Sequence, residues 1–384
     1  MIGGSGDGGS ASGNWLFTGQ DGRLTAYLPA EHGLLRLTEP ASGHLPWTGP
    51  DLVEVPGWTG RVAMAQSPEG YVYLAVLRRP RTADGALEVA FATQFQTGRG
   101  LTDWRSLGAP ASPGVPGDSV VAGPLIEVNK AIGTVHVVVS LRAGGIVRRS
   151  RNADGVWGGW KSVTAEAYPH AFATVMTTGG PLEILATGPA GTDRWVGVAQ
   201  GRFELRERLG TPLVDGTQIA YETGPKRATY YWRYPGDGSL VAWRAQGQQA
   251  QGGGLIPLGG AGGRGRPDVT RALVGGVDCT VLAQTGAHGG IEVTAHGTEN
   301  EAYGAWWATL DGEGAHTPKL AVDGAGRLVV TALGSDGELL LARQDIGREG
   351  LAFGPWGRLG RPDHRAPGSG RRSATSMERS PSGV

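Results

Sequence analysis

Residues 318–360 read PKLAVDGAGRLVVTALGSDGELLLARQDIGREGLAFGPWGRLG, and this segment contains four short runs of strand-forming residues. The runs PKLAV and RLVVTAL are separated by Asp323-Gly324, and Asp336-Gly337 precedes the run ELLLARQ. Asp-Gly pairs favour the positive φ angles that two-residue hairpin turns require. The segment therefore predicts one unit of four short antiparallel strands, which ends in the phrase FGPWGRLG.

The same unit recurs along the chain. Each unit closes on an aliphatic residue that precedes a small or turn-forming residue, and these closing positions stand 46–56 residues apart. They are Val55, Leu107, Val163, Leu209, Leu258, Leu310 and Leu359. A tight-turn signal precedes each of them, namely His32-Gly33, Asp84-Gly85, Gly144-Gly145, Thr192-Asp193, Asp237-Gly238, Gly289-Gly290 and Asp336-Gly337. Such regular self-similarity predicts a repeat architecture.

Seven units of this kind predict an all-β fold. Four short strands cannot cover both of their faces alone, whereas seven such sheets can stack face to face around an axis as a β-propeller. A solenoid would need parallel strands and shorter repeats. We therefore expect a single seven-bladed β-propeller with four antiparallel strands per blade. The predicted blades are residues 13–57, 58–110, 111–165, 166–212, 213–260, 261–314 and 315–362.

The two ends of the chain differ in composition from the repeats. Residues 1–12 are rich in Gly and Ser and predict a flexible N-terminal tail. Residues 363–384 are rich in Arg, Ser, Pro and Gly and predict a disordered C-terminal tail. No signal peptide is visible, so we expect a cytoplasmic protein, with leaderless export or surface association left open. No apolar stretch approaches 18 residues, so membrane insertion is not expected.

Composition argues against several classes of function. The 384 residues include 35 Lys plus Arg and 35 Asp plus Glu, so nucleic-acid binding through bulk charge is not expected. Cys279 is the single cysteine, which excludes an internal disulfide and a multi-cysteine zinc site. Two G-x-G-x-x-G matches lack the strand and helix of a dinucleotide site. We therefore predict a protein that is not an enzyme and has no cofactor and no metal.

Three closing phrases carry a family resemblance. DGVWGGWKSV at residues 154–163, LTDWRSLG at 101–108 and FGPWGRLG at 353–360 resemble the phrase that closes each blade of bacterial fucose-binding lectins. These are the seven-bladed, Photorhabdus-type β-propellers. The resemblance covers all seven units and is strongest in these three. It implies a non-catalytic, lectin-like function with carbohydrate bound between blades.

Aromatic residues are the candidate carbohydrate contacts. Indole and phenol rings either pack between neighbouring blades or offer an exposed face to a sugar. The candidates are Trp104, Trp157, Trp160, Trp232, Tyr234 and Trp356. In an extended strand Trp157 and Trp160 would lie on opposite faces, so we expect one to fill the blade interface and the other to stay near a groove.

Two alternatives to carbohydrate binding stay open. The first is a scaffold that uses one propeller face to bind a protein partner, which a single apolar patch rimmed by charge would favour. The second is an enzyme, which would need acid and base groups converging on the mouth of the channel. The partner is thus a glycan or a protein, and the sequence does not define the glycan or the oligomeric state.

Overall fold

The computed structural model describes residues 11–80, 86–111, 120–142, 145–245, 254–310, 312 and 314–359. Over these residues the chain forms seven sheets, each with four antiparallel strands, and neighbouring sheets pack against each other around a ring. The described part contains no α-helix, and its helical elements are the 3₁₀ turns Ala199–Gly201 and Glu301–Tyr303. The structure confirms the predicted seven-bladed β-propeller.

The strands follow one another in chain order. Strand β1 (Ala11–Gly13) precedes the first blade. The first blade contains β2 (Leu16–Thr18), β3 (Leu24–Ala30), β4 (Gly33–Thr38) and β5 (Thr48–Glu54). The second contains β6 (Trp58–Gln66), β7 (Val72–Arg78), β8 (Glu88–Gln94) and β9 (Arg105–Ser106). The third contains β10 (Val120–Val128), β11 (Val135–Leu141), β12 (Gly145–Arg151) and β13 (Lys161–Thr164).

The remaining four blades repeat the pattern. The fourth contains β14 (Phe172–Met176), β15 (Leu182–Gly188), β16 (Gly191–Gly197) and β17 (Phe203–Leu209). The fifth contains β18 (Ile219–Gly224), β19 (Arg227–Arg233), β20 (Leu240–Trp243) and β21 (Ile256–Gly259). The sixth contains β22 (Arg264–Val274), β23 (Val277–Thr285), β24 (Ile291–Gly297) and β25 (Ala308–Leu310). The seventh contains β26 (His316–Val322), β27 (Leu328–Leu333), β28 (Leu339–Arg343) and β29 (Gly357–Arg358).

Within each blade, consecutive strands are hydrogen-bonded neighbours, with the first strand at the axis and the last at the outer rim. Six of the seven residues of β7 and all seven of β8 are buried, so both faces of these strands are covered. Strands buried on both faces read as nearly continuous apolar runs. The outer strands β5 and β17 contain no fully buried residue. Polar side chains that could contact a ligand are therefore concentrated at the rim, in the loops and in the axial channel.

The hydrophobic core lies between the blades. One cluster joins Ala75 of the second blade to Val137 and Val139 of the third. Another joins Val281 of the sixth blade to Leu328 of the seventh. Each sheet thus depends on its neighbours for the burial of its faces.

Strand β1 lies outside the four-strand pattern. It pairs in parallel with β6, the inner strand of the second blade, with Ala11 opposite Val62 and Gly13 opposite Met64. The chain then continues into β2 of the first blade. Two residues of the predicted N-terminal tail therefore belong to a strand, whereas residues 1–10 and the predicted tail at 363–384 lie outside the described residues.

The ring closes by face packing between the seventh and first blades. Each of these blades is built from its own four consecutive strands, so no strand of the described chain is shared across the seam. The Thr18 hydroxyl donates a hydrogen bond to the Val322 carbonyl oxygen at 2.6 Å. A Cβ added to Gly324 would lie 2.4 Å from the Gly22 Cα atom, so this close approach requires glycine.

A buried ion cluster bridges the same seam. The Arg343 guanidinium contacts the carboxylates of Glu39, in the first blade, and Asp323, in the seventh. Both carboxylates are fully buried, and Glu39 also accepts hydrogen bonds from the backbone N–H groups of Leu24 and Gly43. Removing the cation would leave buried negative charge at the closing interface.

We expect Arg343→Met to lower the free energy of unfolding by about 3 kcal/mol, because it leaves the buried Glu39 carboxylate without its cation. Urea denaturation measures this change. The control is Arg348→Met, which removes an exposed arginine paired with Asp345 in the same blade and should change stability by less than about 0.5 kcal/mol. Equal effects of the two substitutions would show that the seam does not depend on Arg343.

Candidate functional site

Three tryptophans dock one blade onto the preceding one. In each, the indole N–H donates a hydrogen bond to a backbone carbonyl oxygen near the closing position of the preceding blade. The pairs are Trp104 with Glu54 at 3.0 Å, Trp160 with Leu107 at 3.0 Å and Trp307 with Leu258 at 2.7 Å. A packed indole needs such a partner for its N–H. These rings therefore serve as blade-to-blade contacts.

Trp157 and Trp160 pack against the same buried cluster, between the second and third blades. The Trp157 ring stands edge-on to Phe91, with ring centroids 5.0 Å apart. The expectation that these two tryptophans lie on opposite faces is therefore wrong. Strand β13 begins only at Lys161, and Gly158 and Gly159 separate Trp157 from it, so the strict alternation of an extended strand does not apply.

The aromatic run of the fifth blade divides between core and surface. Trp232 is 1% exposed and packs with Tyr230 and Trp243, so its ring offers no face to a ligand. Tyr234 is 41% exposed, beside the turn that follows β19. The structure does not bring these two predicted contacts together in one pocket.

Trp356 lies in an open pocket of about 700 Å³ at the rim of the seventh blade. Its half-buried ring packs on the cluster between the sixth and seventh blades. The same pocket is lined by Glu338 and Arg358, and by the backbone of Gly312 and Gly314 where the chain enters the seventh blade. An added Cβ at Gly312 would lie 2.7 Å from the Trp356 Nε1 atom, so the close approach of this backbone to the ring edge requires glycine.

An ion pair forms the polar part of this pocket. The Arg358 Nη1 atom lies 2.8 Å from one Glu338 carboxylate oxygen and donates to the other at 2.9 Å. The Arg358 side chain is 73% exposed, whereas that of Glu338 is 13% exposed. The backbone N–H of Glu338 donates to Asp336 at 3.2 Å, which positions the carboxylate just ahead of β28. An aromatic ring, a fixed carboxylate and an exposed guanidinium therefore share one pocket, which we call the rim pocket.

Glu338 and Arg358 were not among the predicted contacts, although the sequence contained a signal for them. Both flank strands of the best-preserved unit, and Arg358 stands two residues after Trp356 in FGPWGRLG. Side chains two apart in an extended segment point to the same side. The carboxylate comes from a different strand, so only the pairing of β28 with β29 brings it to the other two.

Tyr303 and Trp306 are two further exposed aromatic residues, and neither was among the predicted carbohydrate contacts. They are 82% and 80% exposed on the connection between β24 and β25. The adjacent Trp306-Trp307 pair is the signal in the sequence, because neighbouring side chains in extended backbone point in opposite directions. Trp307 docks on the fifth blade, and Trp306 consequently faces solvent.

The axial channel is a second cavity, of about 400 Å³, to which the first strands of all seven blades contribute. Two ion pairs lie in its wall: Lys130 with Glu222 at 3.0 Å, and Lys319 with Asp268 at 2.9 Å. Glu127 accepts a hydrogen bond from the Thr174 hydroxyl at 2.7 Å. Burial raises the pKa of Glu127 to about 7, despite the Thr174 hydrogen bond and nearby positive charge.

In the described part of the chain, no group of three or more His, Cys, Asp or Glu side chains is arranged to hold a metal ion. Within those ranges no helix has the length and apolar character needed to cross a bilayer. Cys279 is buried, and burial raises the pKa of its thiol.

Solved structures similar to this chain include a lectin. The BP39L lectin from Burkholderia pseudomallei is 15% identical, with a TM-score of 0.69 over 91% of this chain and 100% of that chain. AofleA from Arthrobotrys oligospora is 12% identical, with a TM-score of 0.50 over 77% and 85%. A protein from Lactobacillus plantarum is 13% identical, with a TM-score of 0.50 over 89% and 94%. No family model and no curated protein sequence matches the chain. At these identities the similarity establishes the propeller fold.

We expect Trp160→Ala to lower the free energy of unfolding by about 3 kcal/mol, because it removes a ring and a hydrogen bond between two blades. Trp306→Ala removes a ring that faces solvent and should change the free energy of unfolding by less than about 0.5 kcal/mol. Chemical denaturation of the two variants makes the comparison. A large loss with Trp306→Ala would mean that this ring packs against the protein in solution.

Glu127 should make folding stability depend on pH. Its folded pKa of about 7 lies above the ordinary value of 4.5, so the folded chain retains a proton that the unfolded chain has lost. Its contribution is fully present below pH 4.5 and is lost as the pH rises through about 7. Relative to wild type, Glu127→Gln should therefore gain on the order of 2 kcal/mol in unfolding free energy between about pH 5 and pH 8. Denaturation at both pH values tests this, and parallel curves would refute it.

Proposed function

We propose that this protein is a non-catalytic, lectin-like propeller that binds carbohydrate at its rim, with the rim pocket as its main site. The observation that carries the proposal is the presence of Trp356, Glu338 and Arg358 in one open pocket. An indole face packs against the C–H groups of a pyranose ring. The carboxylate accepts hydrogen bonds from sugar hydroxyls, and the guanidinium donates them in a fixed fork.

The other blades explain why we place the main site in the seventh. In the second blade, Glu88 also stands at the start of a third strand, but its carboxylate is held by Arg78 and by the Ser106 hydroxyl. The Glu88 side chain is 12% exposed, close to the 13% of Glu338, but its partner Arg78 is only 15% exposed, whereas Arg358 is 73% exposed. The indole N–H groups of Trp104 and Trp160 are already bonded to neighbouring blades. These residues therefore stabilise the packing of neighbouring blades, and they are less available to a ligand than the residues of the rim pocket.

The proposed site is a binding site rather than a catalytic one. Arg358 holds the Glu338 carboxylate in an ion pair, which fixes the position of its oxygens as hydrogen-bond acceptors. A shallow open pocket of this kind would hold one sugar with a Kd on the order of millimolar. Affinity for a multivalent glycan would then come from several weak sites on one particle or assembly.

The test is a glycan array followed by titration of the best glycan. Trp356→Ala and Arg358→Gln should each weaken binding at least about tenfold, a loss of roughly 1.4 kcal/mol. Arg348→Gln is the matched control, because Arg348 lies in the same blade and its side chain is also 73% exposed. Arg348→Gln should bind like wild type. Absence of glycan binding in the wild-type protein, or equal binding by all three variants, would contradict the proposal.

A protein-binding scaffold is the second candidate. Four exposed apolar residues occur at one end of the sixth blade: Leu273, Val277, Tyr303 and Trp306. Strand pairing places them on one face of the ring, because Cys279 at the start of β23 lies opposite Gly297 at the end of β24. Charged pairs such as Arg271 with Asp278 border this patch. If the array is negative, a photoreactive residue at position 306 should cross-link a protein partner, and its failure to do so would oppose this candidate.

A further inference from the structure

The axial channel has the size and lining of a small-molecule site. Its volume of about 400 Å³ lies in the range of pockets that enclose small ligands. Apolar side chains such as Phe17, Met64 and Met176 form part of the wall. Six charged side chains also contribute to it: Glu127, Lys130, Glu222, Arg266, Asp268 and Lys319.

Four of these six charges neutralise each other in pairs. Lys130 is paired with Glu222, and Lys319 with Asp268, whose second oxygen accepts the backbone N–H of Leu320 at 2.8 Å. Glu127 and Arg266 are left over. Their charges interact, but no ion pair within 4.0 Å joins Arg266 to either Glu127 or Asp268.

Arg266 is the unusual member of this set. Burial lowers the pKa of its guanidinium, and the negative charges of Asp268 and Glu127 offset this lowering only in part. It forms neither an ion pair nor a hydrogen bond with any residue that the structure describes. The Arg266 side chain is half-buried in the channel wall, so an anionic ligand there would meet a partly desolvated guanidinium with no competing partner. Its planar fork matches the two oxygens of a carboxylate.

We propose that the axial channel is a ligand site separate from the rim pocket, and that it binds a small organic carboxylate between Arg266 and the carboxyl group of Glu127. The ligand carboxylate pairs with Arg266, and its remaining hydroxyl or carboxylate oxygens bond to Glu127. The apolar wall covers the carbon skeleton. This proposal does not rest on carbohydrate binding at the rim.

Glu127 links this binding to pH. Protonated Glu127 donates a hydrogen bond to an anionic ligand, whereas ionised Glu127 repels it. The groups around it are the Thr174 hydroxyl, the Arg266 cation and the two ion pairs that stay neutral overall, one of which contains Lys130. Affinity for the carboxylate should therefore rise as the pH falls from about 8 to about 6.

Calorimetric titration of the full chain tests the proposal. The probes are D-glucuronate, D-galacturonate and N-acetylneuraminate, with D-glucose and D-galactose as neutral matches of the first two. At least one acid should bind saturably at about pH 6 and at least about tenfold more tightly than its neutral match. Arg266→Gln should weaken that binding at least about tenfold, and Glu127→Gln should remove the dependence of the affinity on pH between about 6 and 8.

Two controls keep the outcomes distinct. Arg266→Gln removes a half-buried cation that has no ion pair or hydrogen bond in the described chain, so a thermal melt should show it folded and no less stable than wild type. Trp356→Ala should leave the binding of the acid unchanged, which separates the channel from the rim pocket. Absence of binding by all three acids, or undiminished binding by Arg266→Gln, would overturn the proposal. Loss of acid binding in Trp356→Ala alone would also overturn it and assign the acid to the rim.

Discussion

The burial of both faces of every sheet is the constraint on which this structure depends. The second blade shows it clearly, because β7 and β8 bury nearly all of their residues and neither face can be left to water. A linear stack of seven such sheets would expose one apolar face at each end. Closing the ring removes both exposed faces, and the contact of Arg343 with Glu39 adds charge complementarity at that seam. The stability of each blade is therefore tied to the closure of the whole ring.

The same constraint decides where chemistry can occur. Middle strands are committed to packing on both faces, so functional side chains are left to the outer strands, the connections and the side of the inner strands that faces the axis. The rim pocket lies among the outer strands and connections of the seventh blade, and the axial channel lies at the axis. They differ in electrostatics, because Arg358 at the rim is largely exposed and paired, whereas Arg266 at the axis is half-buried without a close partner. A paired site suits weak recognition of a neutral sugar, and an unpaired cation suits an anion.

Tryptophan has two roles in this repeat, and the residue type alone does not separate them. Trp160 and Trp307 donate their ring N–H groups to the preceding blade, which makes them structural. Trp306, adjacent to one of them in the chain, is 80% exposed. Trp356 lies between these extremes, since one part of its ring packs on the core and another lines a pocket. The neighbouring backbone contributes to the difference, because the chain packs closely on the edge of the Trp356 ring at Gly312, where a larger residue would clash.

The amino-acid sequence by itself determined the all-β class, the number of blades and the closing positions, because apolar alternation and turn dipeptides are local signals repeated seven times. It also marked the aromatic residues as candidates, and Trp356 lies in a pocket, although its role in binding is still a prediction. The prediction that Trp157 and Trp160 lie on opposite faces was wrong, because two glycines separate Trp157 from strand β13 and the alternation of an extended strand does not apply. Only the tertiary structure decided which rings are exposed and which polar groups meet. Glu338 reaches Arg358 through the pairing of β28 with β29, and Glu127 and Arg266, which come from different blades, line the same channel. These arrangements bring together residues far apart in the chain, and the packing of whole sheets, rather than any local preference, sets their distances.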